Sequence, residues 1–461
     1  EGESATKPAM DPIALGEAAA LVELWIEAQR KSRNIPGISA AVVKGQKTVW
    51  AKGFGTTDRA GKRAATPDTI YSICSISKLF TSIALMQQWE RGQVSLDQPV
   101  TTYLPWAVLA ADERDSVPIT LRGALTHSAG LPRESEYPYW SMPDFTFPTR
   151  DEIRSQITSQ SPLYPASREF QYSNLGLTLV GETVEATSGT AYADYVQANI
   201  IEPLGLTNTR PAFPNDLYGG QMAVGFGSLT RDGKRPQMPP FDTRGILPAA
   251  GFTSTANDLA RFAAWHFRLL ESETPEVLRA STLRGMTRVQ FLSPDWNTSW
   301  GLGYRIQRSN GNTQFGHGGS CPGYQTLLLM EPSSETAVAV LMNAMDDTGM
   351  IARGIAGVIG ERGKAEKFDA PPVDLSDYTG IYDYQPWSSE AAILQWAGGL
   401  AVVDPLGTNP ADIARLRHID GDTFRAISDR GTDRETVTFE RDASGRVTNI
   451  LWFSNRYPRV K

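Results

Sequence analysis

The sequence predicts an α+β protein that ends in a small all-β domain. Apolar residues recur from Ile76 to Met86 at the spacing of one buried helical face, which predicts a core helix. Between Trp300 and Asn343, several runs have the alternation and composition of successive strands. From Tyr378 onward the chain contains short strand-like runs, turns and few helical patterns. These observations favour a mixed main domain followed by a separate β domain.

The composition is that of an ordinary globular protein of 461 residues, with 41% hydrophobic and 21% charged residues. The net charge of −7 argues against nucleic acid as the main partner. No apolar run approaches the length of a membrane span. Neither the two cysteines nor the four histidines have the spacing of a metal site, so we expect no metal ion. We also expect no organic cofactor.

The first elements follow from local patterns. Residues 1–10 are predicted to form a polar tail, and a helix with one apolar side follows from Asp11-Pro12 to about Arg30. Two strands, Ile38–Val43 and Thr48–Lys52, are joined by a turn at residues 44–47. The core helix comes next.

Residues 96–205 are rich in loops, although Leu175–Thr187 again has a helical pattern. Residues 205–255 contain many Gly and Pro, so we expect loops that shape a cleft. A helix is predicted at about Ala256–Leu270. The strands that follow it are Trp300–Gln307, Gln314–His317, Tyr324–Glu331 and Thr336–Asn343.

A last helix at about Gly349–Arg362 precedes a charged, proline-containing stretch that is typical of a linker. The domain organisation follows from this stretch and from the change of pattern after it. We predict a tail at residues 1–10, a main domain at residues 11–362, a linker at residues 363–372 and a small β-barrel-like domain at residues 373–461.

Ser75 and Lys78 stand at the start of the core helix, one turn apart on the same face. A serine hydroxyl needs a neighbouring base to become a nucleophile, and a half-buried lysine can serve as that base. The helix N-terminus adds N–H groups that favour an oxyanion. The four-residue pattern alone is weak, since Ser4 and Lys7 repeat it in the polar tail.

Two further motifs follow in order, Tyr172-Ser173-Asn174 and His317-Gly318-Gly319. With Ser75-Ile76-Ser77-Lys78, they resemble the serine β-lactamase and penicillin-binding-protein superfamily, in particular its class C β-lactamase, D-aminopeptidase and family VIII esterase branch. The likeness covers about residues 13–362 and includes Trp300-Gly301-Leu302-Gly303-Tyr304. It implies an antiparallel sheet flanked by helices, an inserted helical subdomain and a site in the cleft between them. The last domain resembles, more loosely, the lipocalin-like β domain appended to such hydrolases.

Four side chains of the first two motifs have roles that their chemistry supports beside the resemblance. Ser75 is the acyl-accepting nucleophile, and Lys78 and Tyr172 share a proton, so that whichever is deprotonated takes the serine proton. A tyrosinate is costly near neutral pH, and a neighbouring ammonium lowers that cost. Asn174 offers its amide to a substrate carbonyl and holds Lys78 through its oxygen.

By the same likeness, the third motif lies on an edge strand that faces the nucleophile. Gly318 and Gly319 let the substrate backbone come close, and the N–H groups of Ser75 and Ser320 form the oxyanion hole. Many relatives carry lysine in place of His317. A mostly neutral imidazole is a weaker anchor for a substrate carboxylate, which favours peptidase or esterase activity over β-lactamase activity.

The two cysteines flank these motifs, Cys74 directly before Ser75 and Cys321 four residues after His317. If the nucleophile helix and the third-motif strand are adjacent, as the resemblance implies, these side chains meet. A disulfide that stiffens the site and a pair of buried free thiols are both compatible with the sequence. A disulfide would indicate export. We expect an exported protein whose signal peptide has been removed, with a cytoplasmic location as the alternative.

The sequence also draws attention to His127 and to five aromatic residues, whose roles it does not decide. His127 lies in a loop turn and is expected to hold that loop together rather than to do chemistry. Five aromatic residues in predicted loops either line the cleft for an apolar substrate group or pack against their surroundings: Trp106, Tyr137, Tyr139, Trp140 and Phe145.

Together these inferences predict a serine hydrolase that forms an acyl-enzyme at Ser75 with a small-molecule or peptide substrate. A peptide or amide is the first choice of substrate, a carboxylic ester is the alternative, and a β-lactam comes third. A non-catalytic sensor with the same fold is the competing class of protein. The sequence leaves the identity of the substrate and the oligomeric state open.

Overall fold

A computed structural model describes residues 11–110, 116–135, 139–272, 274–309, 311–428 and 430–460. The chain forms two compact units, residues 34–348 and residues 11–33 together with 349–460. The predicted tail at residues 1–10 lies outside the described residues. The predicted domain boundaries at residues 362 and 373 stay a prediction, since the division into units follows compactness alone.

Several helices begin at a residue whose side chain satisfies a free N–H group of the first turn. The Ser173 hydroxyl accepts from the N–H of Gly176 at 2.9 Å, and the Thr255 hydroxyl accepts from the N–H of Asp258 at 3.1 Å.

No helix among the described residues combines the length and apolar content needed to cross a membrane. The helices are α1 (Pro12–Ser32), α2 (Ser77–Glu90), α3 (Leu121–Thr126), α4 (Arg150–Gln156), α5 (Asn174–Ser188), α6 (Tyr192–Val196), α7 (Leu247–Ala250), α8 (Ala256–Glu271), α9 (Ala280–Met286) and α10 (Thr348–Lys364).

The strands divide between the two units. In residues 34–348 they are β1 (Gly37–Lys44), β2 (Lys47–Gly55), β3 (Tyr71–Ser72), β4 (Thr253–Ser254), β5 (Phe291–Leu292), β6 (Ser299–Trp300), β7 (Arg305–Ser309), β8 (Asn312–Cys321), β9 (Tyr324–Glu331) and β10 (Thr336–Met342). In the second unit they are β11 (Gly380–Asp383), β12 (Glu390–Trp396), β13 (Gly399–Val403), β14 (Ala414–Asp420), β15 (Thr423–Ile427), β16 (Asp433–Arg441), β17 (Val447–Trp452) and β18 (Asn455–Pro458).

The main sheet of the larger unit has eight antiparallel strands in the order β2-β1-β10-β9-β8-β7-β6-β5. Strand β10 pairs with β1 and β9 and is buried along nearly its whole length, which explains its continuous apolar sequence. Helix α8 packs on β1, β2 and β10. Helices α2 to α7 all come from the chain between β3 and β4, so they form an inserted helical subdomain. The predicted α+β architecture is confirmed.

The prediction of one strand over Trp300–Gln307 is wrong. Strand β6 ends at Trp300, β7 begins at Arg305, and the chain turns between them. Gly303 in this turn has a φ of +83°, and a Cβ there would collide with the Ser82 hydroxyl of α2. Glycine is therefore required both for the turn and for its close approach to α2.

Strand β8 carries the third motif and is internal to the sheet only over its first half. Its pairing with β7 ends where Arg305 lies opposite Gly316. Among the described strands, the part from His317 to Cys321 pairs with β9 alone. The predicted edge strand is therefore an edge only from His317 onward, because β7 begins at Arg305. A free edge of this kind can pair with an extended substrate.

The free half of β8 packs directly on the turn that carries Ser75. This turn is a short 3-10 helix at Cys74–Ile76, and α2 follows it. A Cβ on Gly319 would collide with the carbonyl oxygen of Ile73, whereas a Cβ on Gly318 would meet its nearest atom at 3.6 Å. The approach of the strand to the nucleophile turn therefore requires glycine at position 319 and not at position 318.

A disulfide joins the same two segments. It links Cys74 in the nucleophile turn to Cys321 at the end of β8, with Cα atoms 5.7 Å apart. Of the two states that the sequence leaves open, the structure has the bonded one. The nucleophile turn and the free edge of β8 are thereby held together by a covalent bond as well as by packing.

The second unit contains an eight-stranded antiparallel sheet in which β11 to β18 are neighbours in chain order. Its inward side chains form one core, to which Tyr378, Phe424 and Phe439 contribute aromatic rings. The N–H of Val460 donates to the carbonyl oxygen of Ile381 at 2.8 Å, so the end of the chain returns to the first strand. The sheet is a nearly closed barrel, which confirms the predicted small all-β domain.

We expect Gly319→Ala to destabilise the protein and Gly318→Ala to leave its stability nearly unchanged. The first substitution forces a methyl group against the Ile73 carbonyl and should cost about 1–3 kcal/mol, a fall of roughly 4 °C in the melting temperature. Thermal unfolding of both variants followed by circular dichroism measures this difference. Equal melting temperatures for the two variants would contradict the assigned packing.

Candidate active site

The side chains of Ser75 and Lys78 meet at the start of α2. The Lys78 Nζ lies 3.0 Å from the Ser75 Oγ, 2.7 Å from the Oδ1 of Asn174 and 2.8 Å from the carbonyl oxygen of Ala249. Lys78 is fully buried. The helical spacing of three residues brings the amine over the serine, as the sequence predicts, and α5 and α7 supply the other two contacts.

The surroundings of Lys78 direct its nitrogen toward the serine. The Asn174 amide oxygen and the Ala249 carbonyl oxygen can only accept hydrogen bonds, so each takes one N–H of the lysine. The third hydrogen-bonding position of the nitrogen faces the Ser75 hydroxyl. Burial lowers the pKa of Lys78 well below its usual value, while the carboxylate of Glu134 opposes this shift. A neutral amine in this place carries a lone pair that can accept the serine proton.

Tyr172 lies on the other side of the same nitrogen. The Lys78 Nζ is 4.8 Å from the centre of the Tyr172 ring, and the Arg133 guanidinium lies over that ring at 5.0 Å. Burial raises the pKa of Tyr172 above its usual value, and a hydrogen bond to Ser75 and the charge of Arg133 only partly oppose the rise. Of the two bases that the sequence leaves open, the opposite pKa shifts favour neutral Lys78 over a tyrosinate.

Asn174 is the first residue of α5, and the N-cap of that helix is Ser173. Its side chain is therefore free for the site. Its Oδ1 accepts from Lys78, and its Nδ2 donates to the Oε1 of Glu134 at 2.5 Å. The amide thus bridges the lysine and a carboxylate that sequence reasoning did not single out.

His317 lies at the start of the free edge of β8, and its ring is neutral. Its Nδ1 lies 2.5 Å from the Gly318 carbonyl oxygen, so this nitrogen carries the proton. Burial, together with the charge of Lys78, lowers the pKa of His317 to about 3. The imidazole is therefore not a cation at neutral pH and offers no positive charge to a substrate carboxylate.

His127 supports the second motif. Its Nδ1 accepts from the backbone N–H of Ser173 at 3.0 Å, and its ring stacks on Tyr172 at 4.3 Å. It caps α3 in a left-handed conformation with a φ of +57°. These contacts agree with a role in holding the loop, since the imidazole fixes the turn that presents Tyr172.

A cleft of about 400 Å³ opens over these groups. It contains the predicted Ser75, Tyr172, His317, Gly318, Gly319 and Ser320, and it adds Arg133, Phe170, Thr298, Trp300, Arg305 and Gln325. Among the residues that the structure describes, two arginines and no carboxylates line the cleft, so the charge of this lining is opposite in sign to the net charge of the protein. Among the described residues, no group of three or more His, Cys, Asp or Glu side chains could hold a metal ion.

The aromatic residues that line the cleft are Phe170, Tyr172 and Trp300 rather than those predicted from the aromatic-rich loops. Tyr139 and Phe145 are buried and pack with other aromatic rings, which decides between the two alternatives for them. The remaining three aromatic residues are also accounted for: Trp106 packs under the Arg154 guanidinium, Trp140 packs on Phe147, and Tyr137 lies outside the described residues.

Comparison with known proteins gives relatives of low identity. The chain is 26% identical over 315 residues to Beta-lactamase-like protein 2 of Dictyostelium discoideum, which covers 67% of this chain and 56% of the relative. The match thus spans little more than half the length of that relative. The chain is 24% identical over 381 residues to Penicillin-binding protein 4 of Amycolatopsis lactamdurans, 77% of this chain and 95% of the relative.

Solved structures with the same fold cover nearly all or most of the chain. The octameric penicillin-binding protein homologue from Pyrococcus abyssi superposes with a TM-score of 0.66 at 24% identity, over 95% of this chain and 99% of that one. A D-stereospecific amidohydrolase from Streptomyces sp. superposes with a TM-score of 0.57 at 24% identity, over 70% of this chain and 94% of that one.

The sequence also matches the family model described as beta-lactamase over residues 22–356. That range contains all three motifs and the whole of the main sheet. It also contains every residue that lines the cleft. On this match, which covers most of its length, the chain belongs to the beta-lactamase family.

Proposed function

We propose that this protein is a serine hydrolase that acts through an acyl-enzyme at Ser75 on a peptide or amide substrate. The observation that carries the proposal is the contact of 3.0 Å between the Ser75 Oγ and the Nζ of fully buried Lys78. A buried amine with two fixed acceptors has no evident structural purpose that a smaller apolar residue would not serve better. Next to a hydroxyl, it is an arrangement that activates a nucleophile.

We infer the reaction from the contacts of Ser75 and Lys78 and take the oxyanion hole from the resemblance to the superfamily. Ser75 attacks the substrate carbonyl while neutral Lys78 takes the hydroxyl proton, and the backbone N–H groups of Ser75 and Ser320 receive the oxyanion. The lysine ammonium then returns the proton to the leaving nitrogen or oxygen, with the protonated Tyr172 as hydrogen-bond donor. Water then attacks the ester carbonyl at Ser75 while Lys78 takes a proton from it, and the Lys78 ammonium returns that proton to the Ser75 oxygen as the acyl group leaves.

The class of substrate is inferred from the cleft and from the relatives. The free edge of β8 can pair with an extended chain, which suits a peptide. A relative of 26% identity is named an unguisins hydrolase, and the amidohydrolase fold is shared. A carboxylic ester is the alternative, because phenolic and alcoholic leaving groups need less help from an acid. A β-lactam comes third, and a sensor that is acylated without turnover is the competing class.

We also propose that the protein is exported. The Cys74–Cys321 disulfide supports this location, because such bonds persist in oxidising compartments and are rare in the cytosol. Its position beside Ser75 suggests that the oxidised form is the working one.

We expect a fluorophosphonate probe to label wild-type protein once, at Ser75. Ser75→Ala and Lys78→Met should each abolish labelling and turnover, a fall of about 10³-fold or more, because one removes the nucleophile and the other its base. Intact mass and peptide mapping measure the adduct. The matched control is Ser4→Ala, which alters the other Ser-x-x-Lys pattern and should change nothing. Labelling retained in Lys78→Met would refute the role of the lysine.

The pH dependence of labelling should report Lys78 and not His317. Because the neutral amine is the active form and its pKa is lowered, the rate should rise with pH, through a limb whose midpoint lies well below the usual lysine pKa, to a plateau. His317, with a pKa of about 3, should add no inflection between pH 5 and 8. A limb that disappears in His317→Gln would contradict this assignment.

We expect probes with a free carboxylate to react faster than neutral ones. Arg305 is exposed at the cleft and has no ion-pair partner among the described residues, so it can attract an anion. Arg305→Gln should lower the preference for the anionic member of a matched pair of fluorophosphonates by up to about fivefold, the range of an exposed ion pair. Arg308→Gln, on the same strand but outside the cleft, is the control. An unchanged preference in Arg305→Gln would exclude this role.

A further inference from the structure

Three consecutive residues of the loop that follows α3, Pro132 to Glu134, each accept a hydrogen bond from the second motif. The backbone N–H of Asn174 donates to the carbonyl oxygen of Arg133 at 2.8 Å, and the Ser173 hydroxyl donates to that of Pro132 at 2.7 Å. The third bond joins side chains, from the Asn174 Nδ2 to the Oε1 of Glu134 at 2.5 Å. This third bond connects Glu134 to the active site, because the same Asn174 amide also accepts a hydrogen bond from Lys78.

The carboxylate of Glu134 fixes which end of the Asn174 amide faces the lysine. Its two oxygens only accept, one from Asn174 and the other from the hydroxyl of Tyr139. A flipped amide would put two oxygens against each other and present Nδ2 to the Lys78 nitrogen. The side chain of Glu134 is 18% exposed, so solvent does little to relax this requirement.

Glu134 is also the anion of the site. The charged and titratable groups that face the Lys78 nitrogen from neighbouring elements are Tyr172, His127, His317, Arg133 and Glu134. Within this set only Glu134 carries a negative charge. Arg133 carries a positive one, and its Nε lies 3.5 Å from the Glu134 Oε1, so it offsets part of the effect of the carboxylate on Lys78. No carboxylate of the described part of the chain lines the cleft, and Glu134 contacts the site through Asn174.

We propose that Glu134 is a positioning residue of the hydrolase, which orients the Asn174 amide toward Lys78 and places one negative charge behind it. This inference rests on the proposed function, in which Lys78 takes the Ser75 proton. The carboxylate acts in two separable ways. Its acceptor oxygens set the geometry of the lysine, and its charge favours the ammonium over the neutral amine and so offsets part of the effect of burial.

The offset matters because a base must bind its proton well enough to remove it from serine. Burial alone would leave an amine that is neutral over a wide pH range and weakly basic. A nearby carboxylate restores basicity without adding a group that competes for the serine proton, since Glu134 is bonded to Asn174 and Tyr139 instead.

The experiment measures the rate of Ser75 phosphonylation by a neutral fluorophosphonate from pH 5 to 10 by intact mass. In Glu134→Gln the acceptor oxygen remains and the charge is lost, so the midpoint of the acid limb should move to lower pH by about 1 unit. In Glu134→Asp the charge remains and the reach is shortened. Its midpoint should stay within a few tenths of a unit of wild type while its plateau rate falls about tenfold.

Tyr139→Phe is the matched control for packing of the loop. It removes the other hydrogen bond of the carboxylate but keeps the charge, so its midpoint should stay with that of wild type. Circular dichroism establishes that each variant is folded before its rates are compared. If Glu134→Gln does not fold, Glu134→Asp still tests the positioning effect, and an unchanged plateau rate in that variant would overturn it.

The outcomes separate this inference from the proposed function. A wild-type protein that is not labelled at Ser75 would overturn both. A labelled wild type whose midpoint is unchanged in Glu134→Gln, or shifted equally in Glu134→Asp, would overturn the inference alone. A shifted midpoint in the first variant with a lowered plateau in the second would establish the positioning role.

Discussion

The site depends on one costly interaction, the burial of the Lys78 amine. An ammonium removed from water must either donate hydrogen bonds to buried acceptors or lose its proton. Lys78 has two such acceptors, and burial also lowers its pKa. Asn174 and Ala249 supply two acceptors, which leave the nitrogen aimed at Ser75. Helices α2, α5 and α7 must therefore pack closely enough to close around a single nitrogen, and much of the helical subdomain can be understood as the support for that contact.

Two sets of contacts hold the segments around the Lys78 nitrogen, one through close packing and a disulfide and the other through hydrogen bonds and ring stacking. On one side the nucleophile turn is held to β8 by the close approach at Gly319 and by the disulfide. On the other side the turn before α5 is held by hydrogen bonds from the loop after α3 and by the ring of His127. The first set fixes the Ser75 hydroxyl and the edge of the sheet. The second fixes Asn174, whose amide oxygen holds the Lys78 amine.

Much of this arrangement could be predicted from the sequence, because its signals are local. Helical spacing puts Ser75 and Lys78 on one face, and alternation marks the strands around His317. The pairing of Glu134 with Asn174 could not be predicted, since a contact between side chains forty residues apart leaves no local pattern. The turn at Gly303 could not be predicted for another reason. The residues around it have the composition of a strand, and the strand is interrupted only by the left-handed backbone of Gly303 and its close contact with α2.

The covalent tie between Cys74 and Cys321 has a consequence for the order in which the molecule comes apart. In the oxidised chain, Ser75 and the strand edge that faces it cannot drift away from each other when local structure opens. The turn that bears Tyr172 and Asn174 has only hydrogen bonds and stacking to keep it in place. On heating, the turn with Tyr172 and Asn174 should therefore move away from Ser75 while the main sheet is still folded. Reactivity at Ser75 should then be lost before the β structure.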